Sequence, residues 1–312
     1  MPLSTELTAL RDGPIDFLRE NWITPGSGYT MHAPAGPQAY IALERVFTGD
    51  VTTIDSTLRL TNNRDKIGYA RLVPATPGKM TLEYRSHRQL ANHERGDYLP
   101  TWFLPWYSDH VTKMKILQRG LLPPNVPDPD IFFTSALSGC SVFIEGPPNA
   151  PTVYHGGFSD VRDFTVNPRV IDPLTGVEAD SITHWRVLFQ QMAPGAVGVG
   201  EANKAQYMNQ GGRETDDVRA YKRFLAAEHQ NEMRIEEMTS EGMVFGTRDA
   251  QGDWSFFLQE SVTVTIYTLR KRKIRRTLID SERRTYTRPM MIRQIYPTGG
   301  ATWGTWNLTR LF

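Results

Sequence analysis

The sequence predicts an α+β fold, and three observations carry that prediction. Strand-like runs with period-two alternation recur along the chain, helix-like stretches are few, and the two kinds do not alternate in the order that builds a doubly wound sheet. The chain has 312 residues, 39% of them hydrophobic, enough for an extensive core. No internal repeat, low-complexity tract or sharp composition break marks a linker. One domain over 1–312 is therefore expected, with residues 1–40 as a peripheral N-terminal segment.

Thr5 to Asn21 reads as a short helix interrupted at Gly13-Pro14, and "ITPGSGYTMHAPAGPQ" after it reads as loop. "AYIALERVF" and "STLRLTN" read as strands, residues 85–97 as helix or loop, and "YLPTWFLPWY" packs five aromatics around two prolines at a core corner. "SVFIEG" and "PTVYHG" are β-rich and flank the turn composition "GPPN", which predicts a hairpin. "VNPRVIDPLTGVEADS" is loop, and "HWRVLFQQMA" fits strand or helix. Thr215 to Met238 has the strongest helical pattern: Thr215 or Asp216 caps it, Asp217 favours its positive end, and Val218, Tyr221 and Leu225 form a stripe that would pack on a sheet. That sheet is expected in "MVFGTRDAQGDWSFFLQESVTVTIYTL", a hairpin turning near Gln251-Gly252 with strict alternation through Val262, Val264 and Ile266.

Composition narrows the function classes. Thirty-five Lys plus Arg against 34 Asp plus Glu give a net charge of +1, so no global field draws the chain to nucleic acid or anionic lipid. The run "LRKRKIRR" holds six cations from Arg270 to Arg276; it is either a strand end entering solvent or a docking surface for an acidic partner, and no nucleic-acid motif accompanies it. Cys140 is the single cysteine, which forbids an internal disulfide and suits a reducing compartment. No run reaches the roughly 18 apolar residues that span a bilayer. His87, His93, Glu94 and Asp97 do not match HExxH or a Cys-His site, and "GAVGVGEANK" matches no phosphate-binding loop, so neither metal nor cofactor is expected.

The stretch that carries chemistry is "TSALSGCSVFIEGPPNAPTVYHGG", residues 134–157. A four-residue loop at Gly146–Asn149 would pair Glu145 with Ala150, Phe143 with Thr152 and Cys140 with His155, on one face and with Cβ atoms roughly 4.5–5.5 Å apart. An imidazole beside a thiol stabilises the thiolate and can then protonate a leaving amine. Gly139 would expose amides for an oxyanion, and Gly156-Gly157 would leave room beside the imidazole. A register slip of one residue would send the side chains to opposite faces. A small buried hydrophobe remains the alternative reading of Cys140, and a hydrogen-bonded or surface residue that of His155. Tyr154 should face away from His155, and Asp160 reads as a surface carboxylate rather than a second orienting group.

Leu137-Ser138-Gly139-Cys140, followed after a hairpin by His155, resembles the signature of the bacterial toxin glutamine deamidases typified by the cytotoxic necrotizing factors. A Burkholderia lethal factor and a chemoreceptor deamidase share the logic, with a threonine six residues before the cysteine, the place of Thr134 here. The resemblance implies Cys140 as nucleophile, His155 as acid and base, Thr134 as the group that orients the imidazole, and Leu137, Ser138 and Gly139 as support for the motif and its oxyanion site. It also implies a central sandwich of mixed β-sheets surrounded by helices and long loops. The expected activity is hydrolysis of one glutamine of a host protein, first a Rho-family small GTPase, to glutamate. The chain would act as a monomer in the host cytosol after secretion or injection by a non-classical route, since "MPLSTELTALRDGPIDFL" lacks a signal-peptide pattern. Loops 22–38 and 165–181 are expected to gate the site. A thiol protease or acyltransferase using the same pair, or a binding protein with a buried Cys140, are the competing readings.

Overall fold

The structure is a computed structural model. It describes residues 4–25, 39–42, 67–76, 79–86, 97–104, 110–122, 127–157, 185–186, 189–190, 192–207, 223, 233–270, 280–300 and 302–304. The cations from Lys271 to Arg276, the loop 165–181, Asp160, His87, His93 and Glu94 lie outside them.

Ser4 caps α1 (Thr5–Asp12) by accepting the Leu7 amide at 3.2 Å, and α2 (Pro14–Glu20) starts on a proline, whose missing N–H costs nothing in a first turn. The interruption at Gly13-Pro14 is thus observed. Part of the segment expected to be peripheral packs in the core. Leu7, Leu10, Leu18, Trp22 and Ile23 are fully buried, and Gln259 Nε2 donates to the carbonyls of Leu18 (2.6 Å) and Asn21 (2.8 Å).

The first strands are β1 (Trp22–Pro25), β2 (Ala39–Ala42), β3 (Ile67–Thr76), β4 (Lys79–Ser86), β5 (Leu99–Leu104), β6 (His110–Lys115) and β7 (Ile131–Thr134). There follow β8 (Ser141–Glu145), β9 (Thr152–Gly157), β10 (Gly200–Ala202), the short helix α3 (Lys204–Tyr207), β11 (Met233–Arg248), β12 (Trp254–Arg270), β13 (Asp280–Tyr296) and β14 (Thr302–Gly304). Among the described residues they form two sheets, one in the order β1-β4-β3-β5-β7-β11-β12-β13-β14 and one in the order β10-β8-β9-β6-β2. The large sheet is mixed, with β1 parallel to β4 and β5 parallel to β7. The fold is an α+β sandwich of open mixed sheets.

Alternation builds the layers. Phe103, Phe133, Phe245 and Phe257 point toward α1 and α2, whereas their neighbours Trp102, Phe132, Val244 and Phe256 enter the space between the sheets and meet Val142, Ile144, Val153 and Met114. Phe143, Tyr154 and Val111 leave the small sheet on its other side and are covered by Trp185 and Phe189, with the Phe143 and Phe189 rings stacked at 4.7 Å. Tyr154 therefore faces away from His155, as expected.

Two expectations change. Met233 to Met238, read as the end of a helix, begin β11 and pair with β12 from Met233–Thr268 onward; the long ladder overrides a helix-like sequence. Of the rest of that stretch only Arg223 is described, and it is helical. Trp22 to Pro25, assigned to a gating loop, is the edge strand β1. Among the described residues no helix is long and apolar enough to cross a membrane.

Candidate active site

The hairpin that presents the motif forms as β8 and β9, with its register two residues from the expected one. Glu145 pairs with Thr152, Phe143 with Tyr154, Val142 with His155 and Ser141 with Gly156. Three prolines explain the shift. Pro147, Pro148 and Pro151 have no N–H to give a ladder, and the Ala150 amide turns back to the Pro147 carbonyl at 3.0 Å, so pairing cannot resume before Thr152. Gly146 to Pro151 form a six-residue turn, anchored by Trp254 N–H on the Pro148 carbonyl (2.9 Å) and by the Tyr296 hydroxyl on the Gly146 carbonyl.

A shift of two preserves the faces, because side chains alternate with period two. Val142 and His155 oppose each other on the face that enters the inter-sheet core, and Cys140, two residues before Val142, is packed in that same core. Cys140 is thus diagonal to His155, at a separation of roughly 7–8 Å on a regular ladder, rather than directly opposite. Neither ring nitrogen of His155 has a hydrogen-bond partner among the described residues.

The turn before Cys140 is tied down residue by residue. Leu137 exchanges backbone hydrogen bonds with Gly242 of β11 at 2.6 and 2.9 Å. Ser138 is exposed and Gly139 partly so, with Gly139 at φ +126°, a conformation an L-residue rarely adopts. The Gly139 N–H donates to Tyr207 Oη at 3.2 Å, and that hydroxyl donates to the Cys140 carbonyl at 2.5 Å. The Gly139 N–H, expected to serve an oxyanion, is thus engaged by Tyr207 in this structure. Gly156 has a different use as well: a Cβ there would stand 2.8 Å from the Trp185 ring, so its bare backbone seats Trp185 on the opposite face rather than making room beside the imidazole.

Thr134 lies directly across from Val244, where the β7 backbone leaves the ladder. Its hydroxyl takes over the missing pairing, donating to the Val244 carbonyl (3.3 Å) and accepting the Val244 amide (3.1 Å). It makes no bond to the imidazole.

Burial sets the electrostatics. Cys140 is 6% exposed and desolvation pushes its thiol up to about 12, opposed by a backbone hydrogen bond from Ser138. His155 is 0% exposed and burial pushes its imidazole down to about 3. Both shifts favour the neutral form of the side chain. A cleft of about 450 Å³ lined by Arg11, Asp128, Asp130, Arg248 and Asp253 includes neither of them. Among the described residues no group of three or more His, Cys, Asp and Glu gathers at metal-binding spacing. Of the basic run, Arg270 ends β12 opposite Asp280.

No protein-family model and no curated protein matches the chain. Among solved structures, the C-terminal domain of CNFy from Yersinia pseudotuberculosis is similar over 78% of this chain and 97% of that domain, at 9% identity and a TM-score of 0.25. A likeness of that depth carries no argument.

The residue that sequence reasoning missed is Tyr207. It lies 67 positions after Cys140, and no local pattern links the two.

Proposed function

We propose that this chain is a thiol-dependent glutamine deamidase of toxin or effector type, converting one glutamine of a host protein to glutamate, with a Rho-family GTPase as first candidate. The observation that supports the reading is the pairing of Val142 with His155, which puts the imidazole and the Cys140 of the LSGC turn on one face of one hairpin. A fully buried imidazole with both nitrogens unpaired among the described residues adds to it, since such a group costs about 1–3 kcal/mol of stability and perturbed titratable groups gather at functional sites.

In the mechanism, Cys140 transfers its proton to His155 and the thiolate attacks the carboxamide carbon. The Cys140 amide donates to the oxyanion. Collapse breaks the C–N bond as His155 returns its proton to the leaving ammonia, giving a thioester. His155 then takes a proton from water, hydroxide attacks the thioester, and glutamate and the free thiol are released. An amine in place of water would transglutaminate at the same site. Exposed Ser138 and partly exposed Gly139 mark the side from which a glutamine would reach the thiol.

Peptide mass spectrometry on Rho-family GTPases incubated with wild type and with Cys140→Ser tests the proposal. Conversion of a glutamine to glutamate by the wild type, reduced about 10⁴-fold or more in the variant, is expected. Conversion that survives in Cys140→Ser would overturn it. An unmodified GTPase panel together with a thiol inert to iodoacetamide at neutral pH would favour a buried structural cysteine.

A further inference from the structure

Among the described residues, one side chain from elsewhere in the fold bonds the backbone on both sides of the turn's peptide that leads to the proposed nucleophile. Tyr207 ends α3, which begins after Asn203, whose backbone N–H donates to Gln206 Oε1 at 2.9 Å. Its phenol is 1% exposed and its ring rests on Gly242, where any Cβ would come within 2.8 Å of the ring. Gly242 is also the residue that pairs with Leu137. Leu137, Gly242 and Tyr207 therefore form one contiguous support under the turn.

The hydroxyl is used twice. It accepts from Gly139 N–H and donates to the Cys140 carbonyl, so it grips the chain on both sides of the Gly139–Cys140 peptide. Leu137 N–H is committed to Gly242, Gly139 N–H to Tyr207, and a backbone hydrogen bond from Ser138 goes to the thiol. The amide of Cys140 belongs to the peptide between these two bonds. Resting on the deamidase reading, we propose that Tyr207 is the positioning residue of this site: its hydroxyl orients the Gly139–Cys140 peptide so that the nucleophile's own N–H becomes the oxyanion donor. A positioned donor acts only in the right direction, and a misplacement of about 1 Å costs on the order of 10²-fold in rate.

The test is Tyr207→Phe, which keeps the ring on Gly242 and removes only the hydroxyl. Two measurements are made. The first is amide hydrogen exchange over residues 137–141 of the full chain; the second is kcat and KM for deamidation of a Rho-family GTPase. The expected result is exchange at least about tenfold faster in 137–141 with β8 and β9 still protected, together with a fall in kcat of about 10²-fold at unchanged KM. A residue that only stabilises the fold would lower melting temperature without moving kcat per folded molecule, and that outcome overturns the proposal. So does unchanged exchange in 137–141, whatever the activity. Faster exchange in a chain whose wild type deamidates nothing would support the grip on the turn and overturn the deamidase reading instead.

Discussion

Arg248 and His155 are both polar side chains taken out of water, and the molecule treats them in opposite ways. The Arg248 side chain is 1% exposed, yet its guanidinium bonds Asp128 at 2.6 Å and Asp130 at 2.9 Å and lies over the Trp254 ring at 5.4 Å. Arg119 adds a further cation to Asp130 at 2.6 Å. His155 is just as deeply buried and has no bond to either ring nitrogen among the described residues. A buried charge that has been given partners is a structural device, because its desolvation is offset where it sits. A buried base left without them is held at a cost, and sites that must move protons are where proteins keep such groups.

The largest effect that sharpens this contrast comes from His155→Leu. Under the deamidase reading it removes the general acid and base, and turnover falls about 10²–10⁴-fold. Stability moves the other way at low pH. The folded imidazole is depressed from 6.5 to about 3, so the unfolded chain binds a proton that the folded one refuses across that interval. Stability is fully present above about 6.5 and is lost as pH falls toward 3. Urea titrations from pH 7 to pH 4 should show the wild type losing on the order of a few kcal/mol relative to the leucine variant. Parallel curves would mean that water or a partner reaches the imidazole in solution.

Next in size is Arg248→Met, the same operation on the paired group. It leaves Asp128 and Asp130 without their shared cation, and because both carboxylates are partly exposed the loss should be near the low end of the range for a broken buried pair, about 3 kcal/mol. Turnover per folded molecule should be unchanged, since this cluster shares no residue with the LSGC turn. A variant that folds normally but loses activity would put the cluster in the catalytic machinery and dissolve the contrast.

How much of this was legible in the sequence depends on where each cause lies. Strand alternation in β12 was readable because Val262 and Val264 are buried on one face of a long ladder. The faces of Cys140 and His155 were readable too, although their register was not. The expected loop ignored that Ala150 would spend its amide inside the turn and that Pro151 has none to offer. Met233 to Met238 misled because what makes them strand is β12, a partner thirty residues on, and not their own composition. Tyr207 was out of reach altogether, since its role exists only once α3 is folded over Gly242.

The smallest expected effect concerns Thr134, where resemblance and geometry part. The resemblance assigns its hydroxyl to orienting the imidazole; the structure spends it on the Val244 backbone, at the point where Thr134 stands opposite Val244 and β7 turns away from β11. Thr134→Val keeps the shape and deletes both bonds, leaving a buried N–H and a buried C=O of Val244 without that partner. The cost should be about 1–3 kcal/mol, read as a lower denaturation midpoint, with kcat per folded molecule held. If midpoint and kcat fall together, the edge of β11 is what aligns the LSGC turn, because the same strand pairs with Leu137 two residues farther on, at Gly242. If kcat falls alone, the hydroxyl leaves Val244 for the imidazole during turnover, and His155 would then be unpartnered only in the closed form.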